Sequence, residues 1–407
     1  MPVPLGAPGS VVVVGADGAL IEVDAATGRS SSLTRSGETT IGFPAWSADR
    51  KHVAAIRPGA NGTDVVVFDA AGARFGTPAE PVVLFRNATV GPFYVSWAPD
   101  GKAVSFLADD AGGISLRLAP SDGSAPLDGT GPGSIVRAGN PFYYDWIARD
   151  RLLAHIGTGS KAFLGEIGLD GKPVSDALTG PGDFRSAVVS RDRGFEAFVR
   201  AKANGRSDVI VAARDGSTER TIPVFGMAAV AFDPVGDTVA TIGPTKVPTT
   251  QFSIPVGPIR LVDANSGATR TLLDGQVVSF WWSPDGRTIA ALRVQAAPKS
   301  AASATAGASA GASPSASSTP TEVRLLFVDV ASGEVRSESV VRPSQLFIDQ
   351  FLTFFDQYAL SHRLWAPDSS AMLFPVADDA TGTHVAVLHV NGDEPDAIPG
   401  AIAFWSP

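Results

Sequence analysis

A short motif recurs along this chain of 407 residues: an apolar stretch ending in Trp, then Ser or Ala, Pro, Asp and Gly, then a second apolar stretch. The clearest copies occupy residues 97–101 and 282–286. Close or weaker copies occupy residues 46–50, 146–150, 189–194, 232–236 and 365–369, and the chain stops inside another copy at 405–407. Because Pro favours the first turn position and Asp and Gly the following ones, each copy predicts a tight turn between two strands.

The spacing of these copies predicts a β-propeller. Neighbouring copies begin 40 to 51 residues apart, except for one step of 83 residues, and a four-stranded blade needs about 40–50 residues. A second turn pattern, Asp-x-x-Ser/Thr-Gly, follows the third strand at 24–28, 263–267 and 329–333. We therefore predict one all-β domain over residues 1–407, a propeller of eight four-stranded blades. Seven blades are the alternative, if the eroded unit near Trp146 merges with a neighbour.

The two ends of the chain complement each other. The pattern predicts later strands of a blade, without a first strand before them, at residues 11–14 and 20–24. It predicts a first strand, without later strands after it, at residues 401–405. Pairing these ends completes one blade and closes the ring, which removes the exposed edge strands. We interpret the Trp and Phe residues of the repeat as packing anchors between blades.

The repeat resembles that of the TolB-like propellers, which are related to WD-type repeats. The resemblance rests on the Trp-Ser-Pro-Asp-Gly turn, the short apolar strand after it, and the third strand that ends in Asp-x-x-Ser-Gly, and it covers nearly the whole chain. It implies a mainly extracytoplasmic bacterial protein that binds other proteins or small ligands. Similar repeats also form the gating propeller of some serine peptidases, and a fold alone does not fix a function.

Composition limits the partners and the compartment. The net charge of −9 disfavours binding to nucleic acid. The chain contains no Cys, which excludes disulfides, thiolate metal sites and Cys nucleophiles.

No apolar run approaches the roughly 18 residues of a transmembrane helix. The N-terminus lacks the pattern of a signal peptide, so either the protein stays where it is made or an export signal or lipid anchor has been removed. We expect a periplasmic or cell-surface location, with the cytoplasm as the alternative.

Two inserts interrupt the repeat. Residues 296–322 are rich in Ala, Ser, Thr and Pro and predict a disordered loop, since they offer nothing to bury. Residues 346–360 carry five aromatic residues at helical spacing: Phe347, Phe351, Phe354, Phe355 and Tyr358. They are a candidate interaction patch on a helix that caps one face, and the alternative is that the helix packs onto its own blade.

A second aromatic pattern, Pro-Phe-Tyr-x-x-Trp, occurs twice, at 92–97 and 141–146. It places four aromatic residues just before the first strands of two blades, near the mouth of the predicted central channel: Phe93, Tyr94, Phe142 and Tyr143. These are candidate ligand contacts, and packing between blades is the alternative.

The sequence contains no recognisable catalytic, cofactor-binding or metal-binding motif. A Gly-x-Ser-x-Gly at 307–311 lies in the Ala/Ser-rich tract, where the strand-to-helix turn of a hydrolase cannot form. No two of the five His residues have metal-ligand spacing on a helix. We therefore expect a non-enzymatic scaffold that binds a protein or a small ligand. The alternatives are a propeller lyase or glycosidase with carboxylates lining the channel, and an accessory subunit of a transport or hydrolase system.

Overall fold

A computed structural model describes residues 3–73, 78–130, 134–159, 162–174, 178, 186–202, 205–248, 253–296, 321–378 and 382–407. These residues contain 29 β-strands and a few short helical segments, so the fold is all-β, as the sequence predicts. Most of the Ala/Ser-rich tract, residues 297–320, lies outside the described residues, and so does the Gly-x-Ser-x-Gly within it. The two ends of that tract belong to adjacent paired strands.

The strands form seven antiparallel sheets within the described residues. Sheet 1 joins both ends of the chain and contains, in order, β29 (Ile402–Trp405), β1 (Ser10–Val14), β2 (Leu20–Asp24) and β3 (Ser30–Ser32). Sheet 2 contains β4 (Ile41–Trp46), β5 (His52–Gly59), β6 (Gly62–Asp69) and β7 (Val82–Asn87). Sheet 3 contains β8 (Gly91–Trp97), β9 (Ala103–Asp110), β10 (Gly113–Pro120) and β11 (Ile135–Ala138). Sheet 4 contains β12 (Phe142–Ala148), β13 (Arg151–Ile156) and β14 (Phe163–Gly168).

The second half of the chain continues the same order. Sheet 5 contains β15 (Val188–Val189), β16 (Phe195–Ala201), β17 (Ser207–Ala213) and β18 (Glu219–Val224). Sheet 6 has seven strands: β19 (Ala229–Phe232), β20 (Thr238–Ile242), β21 (Gly257–Asp263), β22 (Thr269–Trp282), β23 (Thr288–Ala296), β24 (Thr321–Asp329) and β25 (Val335–Val341). Sheet 7 contains β26 (Ala371–Asp378), β27 (Gly382–His389) and β28 (Asp396–Pro399).

The predicted pairing of the chain ends is present. β1 runs antiparallel to β29, with Val11 opposite Trp405 and Val14 opposite Ile402. All the residues of both strands are buried. The first strand of sheet 1 therefore comes from the C-terminus and its later strands come from the N-terminus.

The Trp residues of the repeat join neighbouring sheets. Four indole Nε1–H groups donate to a backbone carbonyl on the first strand of the preceding unit, at 2.9 to 3.2 Å. The donor and acceptor pairs are Trp46 and Phe404, Trp97 and Ala45, Trp282 and Ala231, and Trp365 and Trp281. At these four positions the Trp provides a large apolar surface and also satisfies its one polar atom, whereas the indole N–H of Trp405 is buried without a hydrogen-bond partner among the described residues.

The two turn patterns fold as their residues predict. In the first turn of sheet 2, Asp49 accepts hydrogen bonds from the Ser47 hydroxyl and the Lys51 amide. The last turn position has positive φ in the intact copy (Gly101, 70°) and also where Gly is replaced (Arg50, 61°), so the turn geometry persists without the residue that favours it. In the second pattern, Asp263 accepts from both the amide and the hydroxyl of Ser266.

Helical structure is confined to short segments in the described residues. α1 spans Ala70–Ala73. A longer helical stretch consists of a π-helical turn (Phe347–Phe351), a 3-10 turn (Leu352–Phe354) and α2 (Phe355–Tyr358). None of the helices in the described part of the chain has the length and apolar character needed to cross a membrane.

Candidate functional site

The helical stretch interrupts the residues that take the place of a first strand beside β26, where Pro343 forms an antiparallel bridge to Val376 and Trp365 forms one to Met372. On one side, Ser344 donates its amide to the Pro375 carbonyl on β26. On the other side, the Leu364 carbonyl accepts from the amide of Leu373, also on β26. The two attachment points are neighbours on β26, so the intervening residues, 345–362, leave the sheet and return to it. We call residues 345–362 the axial segment.

The axial segment is surrounded by the first strands of the sheets. The ring of Phe351 lies 5.8 Å from that of Phe43 on β4 and 6.1 Å from that of Phe404 on β29. Phe355 lies 5.8 Å from Phe280 and 5.9 Å from Trp281 on β22. These contacts belong to sheets 1, 2 and 6, and together with the contacts described next they place the segment in the space enclosed by the first strands, which we call the central channel.

Further contacts extend around the channel. Phe347 packs against Phe374 on β26, Tyr358 packs against Tyr94 on β8, and α2 contacts β19. Apolar side chains at helical spacing thus meet the sheets all around the segment and not along one face. The aromatic residues of the insert are spaced as they are because they fill this enclosed space.

One polar side chain anchors the segment to the backbone of β12. The Gln357 amide nitrogen donates to the Tyr144 carbonyl at 2.7 Å, and its amide oxygen accepts from the Tyr144 N–H at 3.0 Å. This pair of bonds resembles the pairing of a neighbouring strand. Gln357 is 5% exposed and Tyr144 is 3% exposed, so water cannot replace either bond.

A directed chain of hydrogen bonds continues from Gln357 through the segment. The Gln357 amide nitrogen donates to the Tyr94 hydroxyl at 3.0 Å, the Tyr94 and Ser361 hydroxyls lie 2.6 Å apart, and Ser361 lies 2.7 Å from Nδ1 of His362. His362 Nε2 lies 3.2 Å from the Phe43 carbonyl. A carbonyl can only accept, so Nε2 carries the proton in the neutral ring, Nδ1 accepts from Ser361, and Tyr94 donates to Ser361.

Burial perturbs the ionisable groups of this network. Desolvation lowers the pKa of His362 to about 4, although its bond to the Phe43 carbonyl opposes the shift, and this keeps the ring neutral near pH 7. Desolvation raises the pKa of Tyr94 to about 12. It also raises the pKa of Asp145, on β12, to about 7, although this side chain keeps some contact with solvent. The network therefore consists of groups that are neutral near pH 7, and Asp145 is a neighbouring carboxyl group whose charge opposes ionisation of Tyr94 and Tyr144.

The candidate interaction patch divides between the interior and the surface. Phe347, Phe351 and Phe355 are 0, 0 and 2% exposed, and Tyr358 is only partly exposed. The three Phe side chains are buried in the channel in this conformation, whereas Tyr358 keeps some contact with solvent. Phe354 is 42% exposed. The alternative prediction is packing onto the segment's own blade. It accounts for the contact of Phe347 with β26 but not for the other contacts, which reach different sheets.

The candidate channel-mouth aromatics divide in the same way. Tyr94, Phe142 and Tyr143 are each 4% exposed, whereas Phe93 is 39% exposed. Tyr94 is part of the hydrogen-bond chain, and Tyr143 contacts Phe354 at a ring distance of 6.3 Å. The structure thus brings members of the two candidate groups together, through Tyr94 with Tyr358 and through Tyr143 with Phe354.

Gln357, Ser361 and His362 are the network residues that the sequence patterns do not reveal. Gln357 lies between aromatic positions of the helical spacing, and the pair of Ser361 and His362 follows it without any recurring motif. A polar residue within an aromatic helical pattern is the available signal, since such a residue needs a buried partner when the pattern packs on all sides.

A small cavity borders the network, and a broader, shallower one is lined by other residues. One of about 130 Å³ lies at the end of the channel where the Trp-x-Pro-Asp turns are, and Ser361 and His362 help to line it. A broader one of about 730 Å³ opens among the turns of sheets 6 and 7 and includes Asp285 and Asp368, whose carboxylates accept hydrogen bonds from neighbouring residues. Across the described ranges, no group of three or more His, Asp or Glu side chains could hold a metal ion.

Comparison with known proteins gives no match to a family model and none to a curated protein sequence. Solved structures do align with the chain. NirN, a dihydro-heme d1 dehydrogenase solved in complex with DHE, aligns over 99% of this chain and 75% of its own, with 16% identity and a TM-score of 0.53. Apo AztD from Citrobacter koseri aligns over 98% of both chains, with 13% identity and a TM-score of 0.52.

TolB from Acinetobacter baumannii also aligns, over 100% of this chain and 68% of its own, with 13% identity and a TM-score of 0.40. At identities this low a structural likeness shows the fold and not the activity. Together with the succession of antiparallel sheets, the alignments with NirN and AztD show that the chain folds as a β-propeller.

Proposed function

We propose that this protein is an eight-bladed, TolB-like propeller that acts as a non-enzymatic scaffold and binds another protein outside the cytoplasm. The observation that carries the proposal is the occupied channel. A ligand cannot enter along the axis while residues 345–362 fill it, so a protein partner has the broad outer faces of the disc for docking.

The count of eight blades rests on the division of sheet 6. The first part of β22 pairs with β21 through residues such as Thr271 and Leu273, and its second part pairs with β23 through Gln276 to Trp282. One long strand therefore serves as the outer strand of one blade and the inner strand of the next. Sheet 6 then supplies two blades and the other six sheets supply one each. The pairing of β1 with β29 closes the ring.

The docking surface that we propose lies on the face where the first strands begin, which we call the loop face. The exposed apolar side chains there include Ile41 (45%), Phe93 (39%) and Phe354 (42%). Ile41 and Phe93 lie near the starts of β4 and β8, and Phe354 contacts Tyr143 near the start of β12. The three residues thus follow an arc over consecutive blades. Exposed aromatic residues at the centre of a protein surface are typical of docking sites.

Affinity capture from the native organism tests this surface. The double variant Phe93→Ser/Phe354→Ser should lose a partner that the unchanged protein retains. Val235→Ser is the matched control, because Val235 is 53% exposed but lies in a Trp-x-Pro-Asp-type turn on the opposite face. If the double variant retains the same partners as the control, the loop face is not the docking surface.

The location outside the cytoplasm is supported by two features of the sequence. The chain contains no Cys, which suits an oxidising compartment, and tracts like 296–322 are common in exported proteins. Fractionation of native cells with an antibody to the protein tests this directly. Recovery with the cytoplasmic fraction alone would refute it.

A catalytic role is the second candidate, and Asp145 is the observation that favours it. A carboxyl group with a pKa raised to about 7 can act as a general acid or base near neutral pH. Screening the purified protein against glycoside and uronide substrates, with Asp145→Asn as the control, separates the two functions. Turnover that disappears in Asp145→Asn would support the enzyme and contradict the scaffold.

A further inference from the structure

A cavity lies away from the channel, between sheets 2 and 3. It has a volume of about 220 Å³. Its apolar lining comes from the outer strand of sheet 2 and from the middle strands of sheet 3: Leu84, Phe85, Phe106, Leu118 and Ala119. Residues 121–130, which follow β10, contribute Ala125, Pro126 and Gly129 to its lining, and we call them the strap.

The strap is held in place by bonds to sheet 2. The Leu127 carbonyl accepts the backbone amide of Arg86 on β7 at 2.6 Å, and the Asp128 carbonyl accepts from the Asn87 side chain at 3.1 Å. A loop of one blade therefore pairs with the edge strand of its neighbour. This contact covers the edge and fixes the strap over the cavity.

Gly129 makes the close approach of the strap possible. Its φ is +72°, and a Cβ at this position would lie 2.6 Å from the Phe85 ring and 3.1 Å from Nη1 of Arg117. Only Gly combines this backbone conformation with so little space. The backbone of the strap thus lies against the same ring and guanidinium group that line the cavity.

Arg117 is the polar group of this cavity. It is 5% exposed, its Nε donates to the Ser115 hydroxyl at 3.0 Å, and its Nη2 donates to Asp110 at 3.1 Å. Its guanidinium group also lies over the Phe85 ring. Among the residues that the structure describes, Nη1 has no hydrogen-bond partner, and two donor hydrogens remain for a ligand.

We propose that this cavity binds a small aromatic carboxylate. The apolar walls with Phe85 and Phe106 suit a ring, and Nη1 of Arg117 suits a carboxylate oxygen. Lys102 also lines the cavity and adds a second positive charge, whereas Asp110 is already paired with Arg117. The volume is below the ~300–1,000 Å³ of sites for drug-sized molecules, which restricts the ligand to a single substituted ring. This site is independent of the scaffold function proposed above.

Titration of the full chain with 4-fluorobenzoate, followed by 19F NMR, tests the proposal. The unchanged protein should show saturable binding at millimolar concentrations or below. Arg117→Met should weaken binding by about tenfold or more, because it removes a charge-assisted bond. Ala119→Leu keeps the guanidinium group but fills the cavity, and it should weaken binding to a similar degree.

Arg200→Met is the matched control. Arg200 also lies over a Phe ring, that of Phe198, at the same distance of 5.7 Å as Arg117 over Phe85, and also pairs with a carboxylate, that of Glu219. Its removal should leave the affinity unchanged. Two results would overturn the proposal: no saturable binding by the unchanged protein, or binding that Ala119→Leu leaves intact. The second variant keeps the test decisive if Arg117→Met does not fold.

Discussion

Replacing Gln357 by Leu should destabilise the protein far more than the same substitution at Gln345. Both residues belong to the axial segment, but Gln357 is buried, whereas Gln345 is exposed and bonds only to Asp349. Leu has a similar size to Gln, so the substitution preserves the packing and removes the amide. The difference between the two variants therefore measures the buried hydrogen bonds.

The expected magnitude follows from the groups left without partners. Gln357→Leu leaves the N–H and the carbonyl of Tyr144 unsatisfied in the interior, and each such group costs about 1–3 kcal/mol. We expect a total loss of about 3 kcal/mol in the free energy of unfolding, and at most about 0.5 kcal/mol for Gln345→Leu. With an unfolding entropy of about 2.1 cal/mol/K per residue over 407 residues, the larger loss lowers the Tm by about 3–4 °C.

Differential scanning calorimetry of the two variants and the unchanged protein provides the measurement. Urea unfolding followed by Trp fluorescence gives a second, independent estimate of the same difference. Equal Tm values for Gln357→Leu and Gln345→Leu would refute the reasoning, since they would mean that Gln357 is not bonded to Tyr144 within the channel.

Three further results are expected. Trp46→Phe removes the Nε1–H that the Phe404 carbonyl accepts and should cost about 1–2 kcal/mol in urea unfolding. The pKa of His362 is lowered to about 4 from an ordinary 6.5, so the protein keeps its full stability above pH 6.5 and loses up to about 3 kcal/mol of it as the pH falls towards 4. His362→Phe should flatten this part of the profile of Tm against pH. The raised pKa of Asp145, about 7 against 3.8, makes the free energy of unfolding depend on pH in the opposite direction, since the stability falls as the pH rises from 4 to 7. The free energy of unfolding of Asp145→Asn, measured with urea, should therefore exceed that of the unchanged protein by about 1 kcal/mol at pH 8, after allowance for partial exposure. At pH 4 the two values should be equal.

The sequence predicts the parts of the fold that depend on local chemistry. The Trp-x-Pro-Asp turns, the Asp-x-x-Ser/Thr-Gly turns and the pairing of residues 11–14 with 402–405 each follow from residue types within a few positions or from the need to pair an edge strand. These features recur, and recurrence reveals them without any knowledge of distant contacts.

The site depends on contacts that no local pattern contains. Gln357 meets Tyr144 across 213 positions, and His362 meets Phe43 across 319 positions. The aromatic spacing of residues 346–360 predicts a helix, but a spacing does not say whether its apolar residues meet a partner, one blade or the inside of a ring. The answer follows from the place of the insertion, since a segment that leaves a first strand has the channel beside it.

Replacement of Phe351 by p-azidophenylalanine, followed by photolysis and peptide mass spectrometry, tests most directly whether the chain fills its own channel. Phe351 lies close to Phe43 and Phe404, which stand near opposite ends of the sequence. We expect crosslinks to the peptides that contain these two residues. Crosslinks confined to peptides from sheet 7, with none to β4 or β29, would contradict the occupied channel.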